Sequence, residues 1–183
     1  MAIDGAIAAS CGLEGIRVDQ ATVEAASEEA VGAFAPDTYR RMIEILCGDE
    51  PATVARVTQR VRAMTGNLDA FQLRPGIQDL LQRLAGRDLV LGVTGCSRDR
   101  LERAGLDGRL AADIGISPAA TIFVGDRLDR DIAPAKAAGM ATIRFRSGRW
   151  RRQQPRSAAE TPDAVVTDVR ELEEAIAALL ASR

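Results

Sequence analysis

The chain has 183 residues, of which 46% are hydrophobic and 27% are charged, and its formal net charge is -2. These values are typical of a folded globular protein, so they exclude a disordered chain, and they provide no overall positive charge to attract nucleic acid. The sequence contains no histidine, which excludes imidazole acid–base chemistry and imidazole-bound zinc. Of the 24 basic residues only one, Lys136, is a lysine.

The three cysteines, Cys11, Cys47 and Cys96, are widely spaced and form no CxxC pair, so they predict neither a disulfide framework nor a zinc knuckle. The first residues, MAIDGAIAAS, have no basic residue before a short apolar run, and no later segment reaches the length of a membrane span. We therefore expect a cytoplasmic protein with reduced thiols and no membrane partner.

The N-terminal segment, Met1 to Ala8, predicts a short buried strand. Ile3 and Ile7 are apolar, and Asp4-Gly5 stands where such a strand would end in a turn. From Asp19 to Met64 the periodicity becomes helical, and three successive stretches each open with Asp or Pro. This region predicts three helices.

The next segment predicts a helix, a strand and two further helices. The turn Arg74-Pro75-Gly76 precedes IQDLLQRLAG, whose apolar residues recur on one helical face. The run Leu89 to Val93 predicts a parallel strand covered on both faces and ending at Thr94-Gly95. Two short helices are predicted over residues 98–106 and 109–114.

The C-terminal part alternates apolar runs with helical stretches. It predicts three further strands, two helices and a polar loop. In chain order these are strand Thr121 to Val124, helix Ala133 to Ala138, strand Ala141 to Phe145, polar loop 146–162, strand 164–166 and the closing amphipathic helix Asp168 to Leu180. Strands that alternate with helices predict an α/β protein with a Rossmann-like parallel sheet and helices on both faces.

Polar residues follow three of the predicted strands, at Asp4-Gly5, Thr94-Gly95 and Gly125-Asp126. Ligands of open parallel sheets bind at the carboxyl ends of the strands, so these residues indicate a site. Asp126, with Asp129 and Asp131 in the same loop, gathers the oxygen ligands that Mg2+ prefers. The simpler alternative is that Asp126 and Asp131 are helix N-caps and that the Thr94 hydroxyl only satisfies backbone at a strand end.

Taken in order, these motifs resemble the haloacid dehalogenase-like superfamily, in its phosphoglycolate-phosphatase-like subgroup with a small helical cap. The stretch VGDRLDRDIAPAKAAGMATI resembles the fourth motif of the family, with Gly125, Asp126 and Asp131 in matching positions. LRPGIQDLLQRLAGRDLVLGVTGCS resembles the segment that leads to the second motif, which ends at Thr94. The resemblance implies an α/β core of residues 1–13 and 72–183, with an all-helical cap of residues 14–71 inserted after the first strand.

The resemblance also implies a magnesium-dependent phosphatase of small phosphorylated metabolites. In the family an Asp attacks phosphorus, and a second Asp, matched here by Asp4, is the general acid–base and offers its carbonyl to the metal. Thr94 and Gly95 would bind phosphate oxygens, and Asp4, Asp126 and Asp131 would hold Mg2+.

The chain departs from the family pattern in two motifs. Ala2 stands where the nucleophile is expected and has no carboxylate for a covalent route. The segment between Leu106 and Thr121 is too short for the third motif and contains no lysine, and Lys136 is expected to face solvent on a helix. Two hypotheses follow: a phosphatase with very slow turnover, or a non-catalytic member that binds a phosphorylated ligand or a protein partner. A third hypothesis is that the chain starts too late, so that the first strand and its nucleophile are missing; an in-frame apolar run upstream of Met1, ending in Asp at the Ala2 position, would support it.

Six arginines surround the single tryptophan, Trp150, at positions 144, 146, 149, 151, 152 and 156. Such a cluster could bind an anionic partner, including nucleic acid with stacking on the aromatic ring. Because the cluster is local and the net charge is slightly negative, we expect a solvated loop and no nucleic-acid binding.

Overall fold

A computed structural model describes residues 2–66, 73–92 and 116–182. The chain divides into two compact units, Met1–Ala70 and Phe71–Arg183. Each unit has a hydrophobic core made of its own residues. None of the helices in the described ranges is long and apolar enough to cross a membrane.

The described part of the first unit is helical. Its helices are α1 (Ala2–Gly12), α2 (Gln20–Gly32), α3 (Thr38–Leu46) and α4 (Pro51–Thr65). The three helices predicted between Asp19 and Met64 are confirmed, and Asp or Pro stands at the start of each, although the N-cap of the third is Glu50. The Asp19 carboxylate accepts a hydrogen bond from the Thr22 N–H at 2.7 Å, and Glu50 caps the helix that begins with Pro51.

The strand predicted for residues 1–8 is wrong, because residues 2–8, the described part of this segment, lie in helix α1. Ile3, Ile7 and Cys11 recur every four residues, so a helix places all three on one face, and Ile7 and Cys11 are fully buried in the core of the first unit. Gly5 lies inside this helix and not in a turn. Residues 1–13 therefore lie with the helical unit here, whereas the sequence grouped them with the α/β domain.

The second unit contains a parallel three-stranded sheet in the order β1-β2-β3. Its elements are α5 (Ile77–Ala85), β1 (Ile122–Gly125), a one-turn π-helix (Leu128–Ile132), α6 (Ala133–Ala137), β2 (Ala141–Phe145), β3 (Ala164–Val166) and α7 (Val169–Ala181). In register, Ile122 pairs with Ala141 and Ile143 pairs with Ala164. The predicted α/β class with a parallel sheet is confirmed.

The core of this unit lies between the sheet and the helices α5 and α7. It contains the buried side chains Leu80, Leu84, Ile143, Val166, Leu172 and Ile176. Phe145 packs against the same cluster, two residues beyond Ile143 on β2. Because side chains alternate along a strand, Thr142, which precedes Ile143, and Arg144, which follows it, point to the opposite face of β2.

The strand predicted for Leu89 to Val93 is not found in its described part, because residues 89–92 form no strand. Leu89 and Leu91 pack against the core of the second unit, but Val90 is 59% exposed, so the run is covered on one face only. Val93 and the helices predicted over 98–106 and 109–114 lie outside the described residues.

Candidate functional site

The acidic loop after β1 is organised by Asp131. Its Oδ2 atom accepts hydrogen bonds from the backbone N–H groups of Asp126, at 3.0 Å, and Arg127, at 2.8 Å. Neither Asp126 nor Asp131 caps a helix, because Arg127 precedes the π-helix, Ile132 precedes α6, and neither N-terminus has a side-chain cap. The N-cap alternative is therefore wrong, and the loop folds back so that the two carboxylates lie together.

Gly125, the last residue of β1, is required by this fold of the loop. A Cβ atom at position 125 would lie 2.8 Å from both Cγ and Oδ2 of Asp131, closer than non-bonded atoms approach, and nearer still to its Cβ. The glycine thus lets the Asp131 side chain pass against the strand end and reach the backbone of Asp126. This close approach gives a physical reason for the Gly-Asp pair of the loop.

The Asp126 carboxyl is the electrostatically unusual group of this loop. Burial first, and then the negative charge and hydrogen bond of Asp131, raise the pKa of Asp126 to about 6. Both effects disfavour the charged carboxylate, and a bound cation would reverse them. The two side chains fit Mg2+, which commonly uses one or two carboxylates and keeps several waters. Within the described ranges no group of three or more acidic or cysteine side chains gathers to form a fuller metal cage.

Asp129, in contrast, is engaged elsewhere. The Arg127 guanidinium donates to both of its oxygens, with Nε to Oδ1 at 3.1 Å and Nη2 to Oδ2 at 2.6 Å. Burial alone would raise the pKa of Asp129, but the bonds and charge of Arg127 hold it below its usual value. Asp129 therefore neutralises Arg127 and is not part of the carboxylate pair.

Gln153 joins the arginine-rich loop to the acidic loop. Its side-chain oxygen accepts from the Leu128 N–H at 3.0 Å, and its amide nitrogen donates to Asp129 at 3.4 Å. The Arg127 guanidinium also lies 5.4 Å from the centre of the Trp150 ring. These contacts hold the residues that follow Asp126 in the chain, Arg127 to Asp129, in place. Gln153 was not predicted from the sequence, because its partners lie 24 and 25 residues away and no sequence motif links residues at that separation.

The arginine-rich loop is not simply solvated. Arg144 is 4% exposed and Arg149 is 8% exposed, which contradicts the solvated-loop prediction for these two residues. Arg144 lies on strand β2, and its Nη2 atom donates to the Trp150 carbonyl at 2.8 Å, so the short 3-10 turn Arg149–Arg152 covers it. Arg156 forms a short ion pair with Glu160.

Lys136, the single lysine, is partly exposed on α6 and binds Asp163. Its Nζ atom lies 3.3 Å from Asp163 Oδ1, while Oδ2 of Asp163 accepts from the N–H and hydroxyl of Thr142. Burial would raise the pKa of Asp163, but these hydrogen bonds hold it below its usual value. Lys136 therefore contributes to the junction of β2 and β3.

Of the predicted site residues, the structure brings Asp126 and Asp131 together. Asp4 lies on helix α1 of the first unit, so its placement at a strand end does not hold, and its proposed role stays a prediction. Thr94 and Gly95 lie outside the described residues, and their roles also stay predictions.

The chain is similar to a known protein family and to known phosphatases. A protein-family model described as HAD-hydrolase-like matches residues 103–172. The chain is 32% identical over 162 residues to a phosphoglycolate phosphatase of Synechococcus elongatus, a match that covers 72% of this chain and 76% of that protein.

Two archaeal proteins match shorter stretches. A glyceraldehyde 3-phosphate phosphatase of Methanopyrus kandleri is 42% identical over 62 residues, which is 34% of this chain and 27% of that protein. A glyceraldehyde 3-phosphate phosphatase of Methanocaldococcus jannaschii is 45% identical over 38 residues, 21% of this chain and 17% of that protein. Both matches span well under half the length of those relatives.

Proposed function

This chain belongs to the haloacid dehalogenase-like hydrolases, and from that premise we propose that it is a magnesium-dependent phosphatase of small phosphorylated metabolites. The observation that carries the proposal is the pair formed by Asp126 and Asp131 directly after strand β1. A partly buried carboxylate that is held beside a second one, at the carboxyl end of a parallel strand, suits a hard divalent cation.

The side chains in and around the pair would have different roles at the metal site. Asp126 would bind the cation directly, and Asp131 would orient the loop through its two backbone hydrogen bonds while adding negative charge. Bound Mg2+ would neutralise the negative charge of the phosphoryl oxygens. Arg127, Asp129 and Gln153 keep the loop rigid, so Asp126 does not have to reorganise when a ligand arrives.

The remaining parts of the proposal come from the family resemblance. Thr94 and Gly95 would bind phosphate oxygens, Asp4 would be the general acid–base, and the helical unit would act as a cap that selects the substrate. The free thiols Cys11 and Cys47 suit a reducing compartment, and we propose the cytoplasm. The names of the relatives suggest 2-phosphoglycolate and glyceraldehyde 3-phosphate as the first substrates to test.

A second candidate is a protein that binds a phosphorylated ligand without turnover. Among residues 73–92 and 116–182, the carboxylate beside Asp126 is Asp131, and it is engaged by two backbone N–H groups. Covalent phosphoryl transfer needs an additional carboxylate that can attack phosphorus. This observation favours ligand binding as the alternative activity.

Phosphate release from p-nitrophenyl phosphate, 2-phosphoglycolate and glyceraldehyde 3-phosphate tests both candidates. We expect release that requires Mg2+, stops with EDTA and falls at least about 100-fold in Asp126→Asn, because a metal ligand is lost. Arg170→Gln is the control, since it removes a charge from an exposed ion pair on α7.

The possible outcomes separate the two candidates. No release from the wild-type chain with Mg2+, together with a phosphate-dependent rise in Tm, would support the binding protein and reject the phosphatase. Release that is equal with Mg2+ and with EDTA would reject the magnesium site.

A further inference from the structure

Several arginines of the second unit lie near Asp126, and the proposed function assigns no role to them. The single lysine is bound to Asp163, so a basic side chain that binds phosphate oxygens beside Mg2+ would be an arginine. Two arginines lie at the carboxyl end of β2, the strand that pairs with the strand before this loop. These are Arg144, which belongs to β2, and Arg74, whose guanidinium lies over the ring of Phe145 on the same strand.

Arg144 approaches from strand β2. It pairs in register with Gly125, the residue directly before Asp126. The side chain is 4% exposed, and one of its N–H groups donates to Trp150, but its Nε atom has no hydrogen-bond partner among the described residues. A buried charged donor without a partner is costly, so the fold maintains this positive charge next to the loop at the expense of stability.

Burial and the charge of Arg146 both lower the pKa of Arg144, although the guanidinium remains protonated. Arg146 is two residues further along the chain and is exposed. The carboxyl end of β2 therefore carries positive charge that Asp126 only partly offsets.

Arg74 approaches the same end of β2 from the other face. Its guanidinium carbon lies 4.9 Å from the centre of the Phe145 ring, and a Cβ atom at Gly148 would lie 3.9 Å from its Nη2 atom. The residue is exposed, and its guanidinium forms no ion pair or hydrogen bond within the described ranges. The contact with the ring of Phe145 uses none of the N–H groups of the guanidinium, which leaves them available to a ligand.

We propose that Arg74 and Arg144 bind the oxyanion of a phosphate ester beside Asp126, Arg74 by direct contact and Arg144 by its charge from within the sheet. This inference rests on the proposed function, because it concerns the same ligand. Arg74 is the contacting residue, with planar N–H groups that match phosphate oxygens. Arg144 is a positioning residue, whose buried charge acts strongly because little water screens it.

The first experiment is calorimetric titration of inorganic phosphate into the full chain with Mg2+ present. Arg74→Gln should weaken binding at least about tenfold, which is the size expected for loss of a charge-assisted hydrogen bond. Arg170→Gln, which removes the same charge from α7, should change Kd by less than about twofold. Arg74→Gln with a wild-type Kd would overturn the inference.

Arg144 needs a pair of variants, because a neutral residue at a buried position can unfold the chain. Arg144→Lys keeps the charge and should bind phosphate within about threefold of wild type, whereas Arg144→Gln should lose at least about tenfold. Far-UV circular dichroism checks that both variants fold. Equal losses in both folded variants would overturn the role of the charge.

The phosphate-release assay distinguishes failure of this inference from failure of the proposed function. If the wild-type chain releases phosphate with Mg2+ and Arg74→Gln binds phosphate normally, the arginine site fails and the phosphatase stands. If the wild-type chain neither binds nor releases phosphate, the proposed function fails and the arginine site fails with it.

Discussion

Gly125 and Asp131 depend on each other at the scale of single residues. The Asp131 side chain occupies the space in which a Cβ atom at position 125 would stand, and from there it holds the Asp126 and Arg127 N–H groups. A larger residue at 125 would push Asp131 away and release two backbone donors in a partly buried loop.

We therefore predict that Gly125→Ala lowers the free energy of unfolding by about 2–3 kcal/mol, from overpacking and broken hydrogen bonds. Chemical denaturation followed by Trp150 emission measures this change. Gly86→Ala is the matched control in the same unit, since a Cβ atom there meets its nearest neighbour at 3.5 Å. Equal stabilities of the two variants would contradict the close approach.

The two other acids of the loop should respond to pH in opposite directions. The pKa of Asp126 is about 6 in the folded chain, above the value of about 3.9 for an unfolded Asp. Folding therefore takes up a proton between these values, and the contribution of Asp126 to stability is lost as pH rises through 6. The pKa of Asp129 is lowered, so its contribution is present above about pH 4 and is lost as pH falls.

Without divalent cations, Asp126→Asn should be more stable than wild type at pH 7 by roughly 1–2 kcal/mol, allowing for partial exposure of the carboxyl, and the difference should vanish near pH 4. Asp129→Asn should be less stable at pH 7 by about 1–2 kcal/mol, because Arg127 loses its charged partner. Thermal unfolding between pH 4 and 7.5 measures both. Parallel pH profiles for the two variants would refute the assignment.

At the scale of elements, local sequence decides where the closing helix begins. The Asp168 carboxylate accepts from the Glu171 N–H at 2.9 Å, while the Glu171 side chain reaches back to the N–H of Thr167 at 2.7 Å. Two N-terminal donors are thus satisfied by residues three or four positions away. Leu172 and Ile176 then bury the inner face of α7.

Asp168→Ala should lower the free energy of unfolding by about 1 kcal/mol, the usual effect of losing an N-cap. The measurement is the midpoint of urea unfolding. Glu174→Ala, which breaks the exposed pair with Arg170, should change it by less than about 0.5 kcal/mol. A larger effect of Glu174→Ala than of Asp168→Ala would contradict the capping role.

At the scale of the whole molecule, each unit has its own core and its own aromatic reporter. Met42 and Val57 are fully buried in the first unit, where the single tyrosine, Tyr39, packs against the core. The single tryptophan, Trp150, lies in the second unit, next to Arg127 and Arg144. The emission of Trp150 therefore reports on the second unit.

Met42→Ala should destabilise the first unit by about 2–5 kcal/mol through the cavity that it leaves. Thermal loss of helical circular dichroism should begin at a lower temperature, while the Trp150 transition should move much less. Leu80→Ala, in the core of the second unit, should move the Trp150 transition instead. If Met42→Ala shifted both signals equally, the two cores would unfold as one.

The sequence by itself determined the features that depend on near neighbours. Asp19, Glu50 and Asp168 cap helices through N–H groups two or three residues away, and the apolar run before Gly125 forms a parallel strand that ends at the acidic loop. Such features need only a local period or a side chain of fixed reach, so they could be predicted. The family resemblance, carried by the same loop, also needed no tertiary information.

The tertiary structure alone decided what long-range contacts control. The first residues form a helix because Ile3, Ile7 and Cys11 pack against the core of the first unit, which is made of helices. A short apolar segment of this kind is also compatible with a strand. Asp126 and Asp129 are three residues apart, yet one stays beside Asp131 and the other binds Arg127. Arg144 is buried because the turn Arg149–Arg152 folds back over it. Burial and pairing of charges depend on which surfaces meet after folding, and no spacing along the chain records that choice.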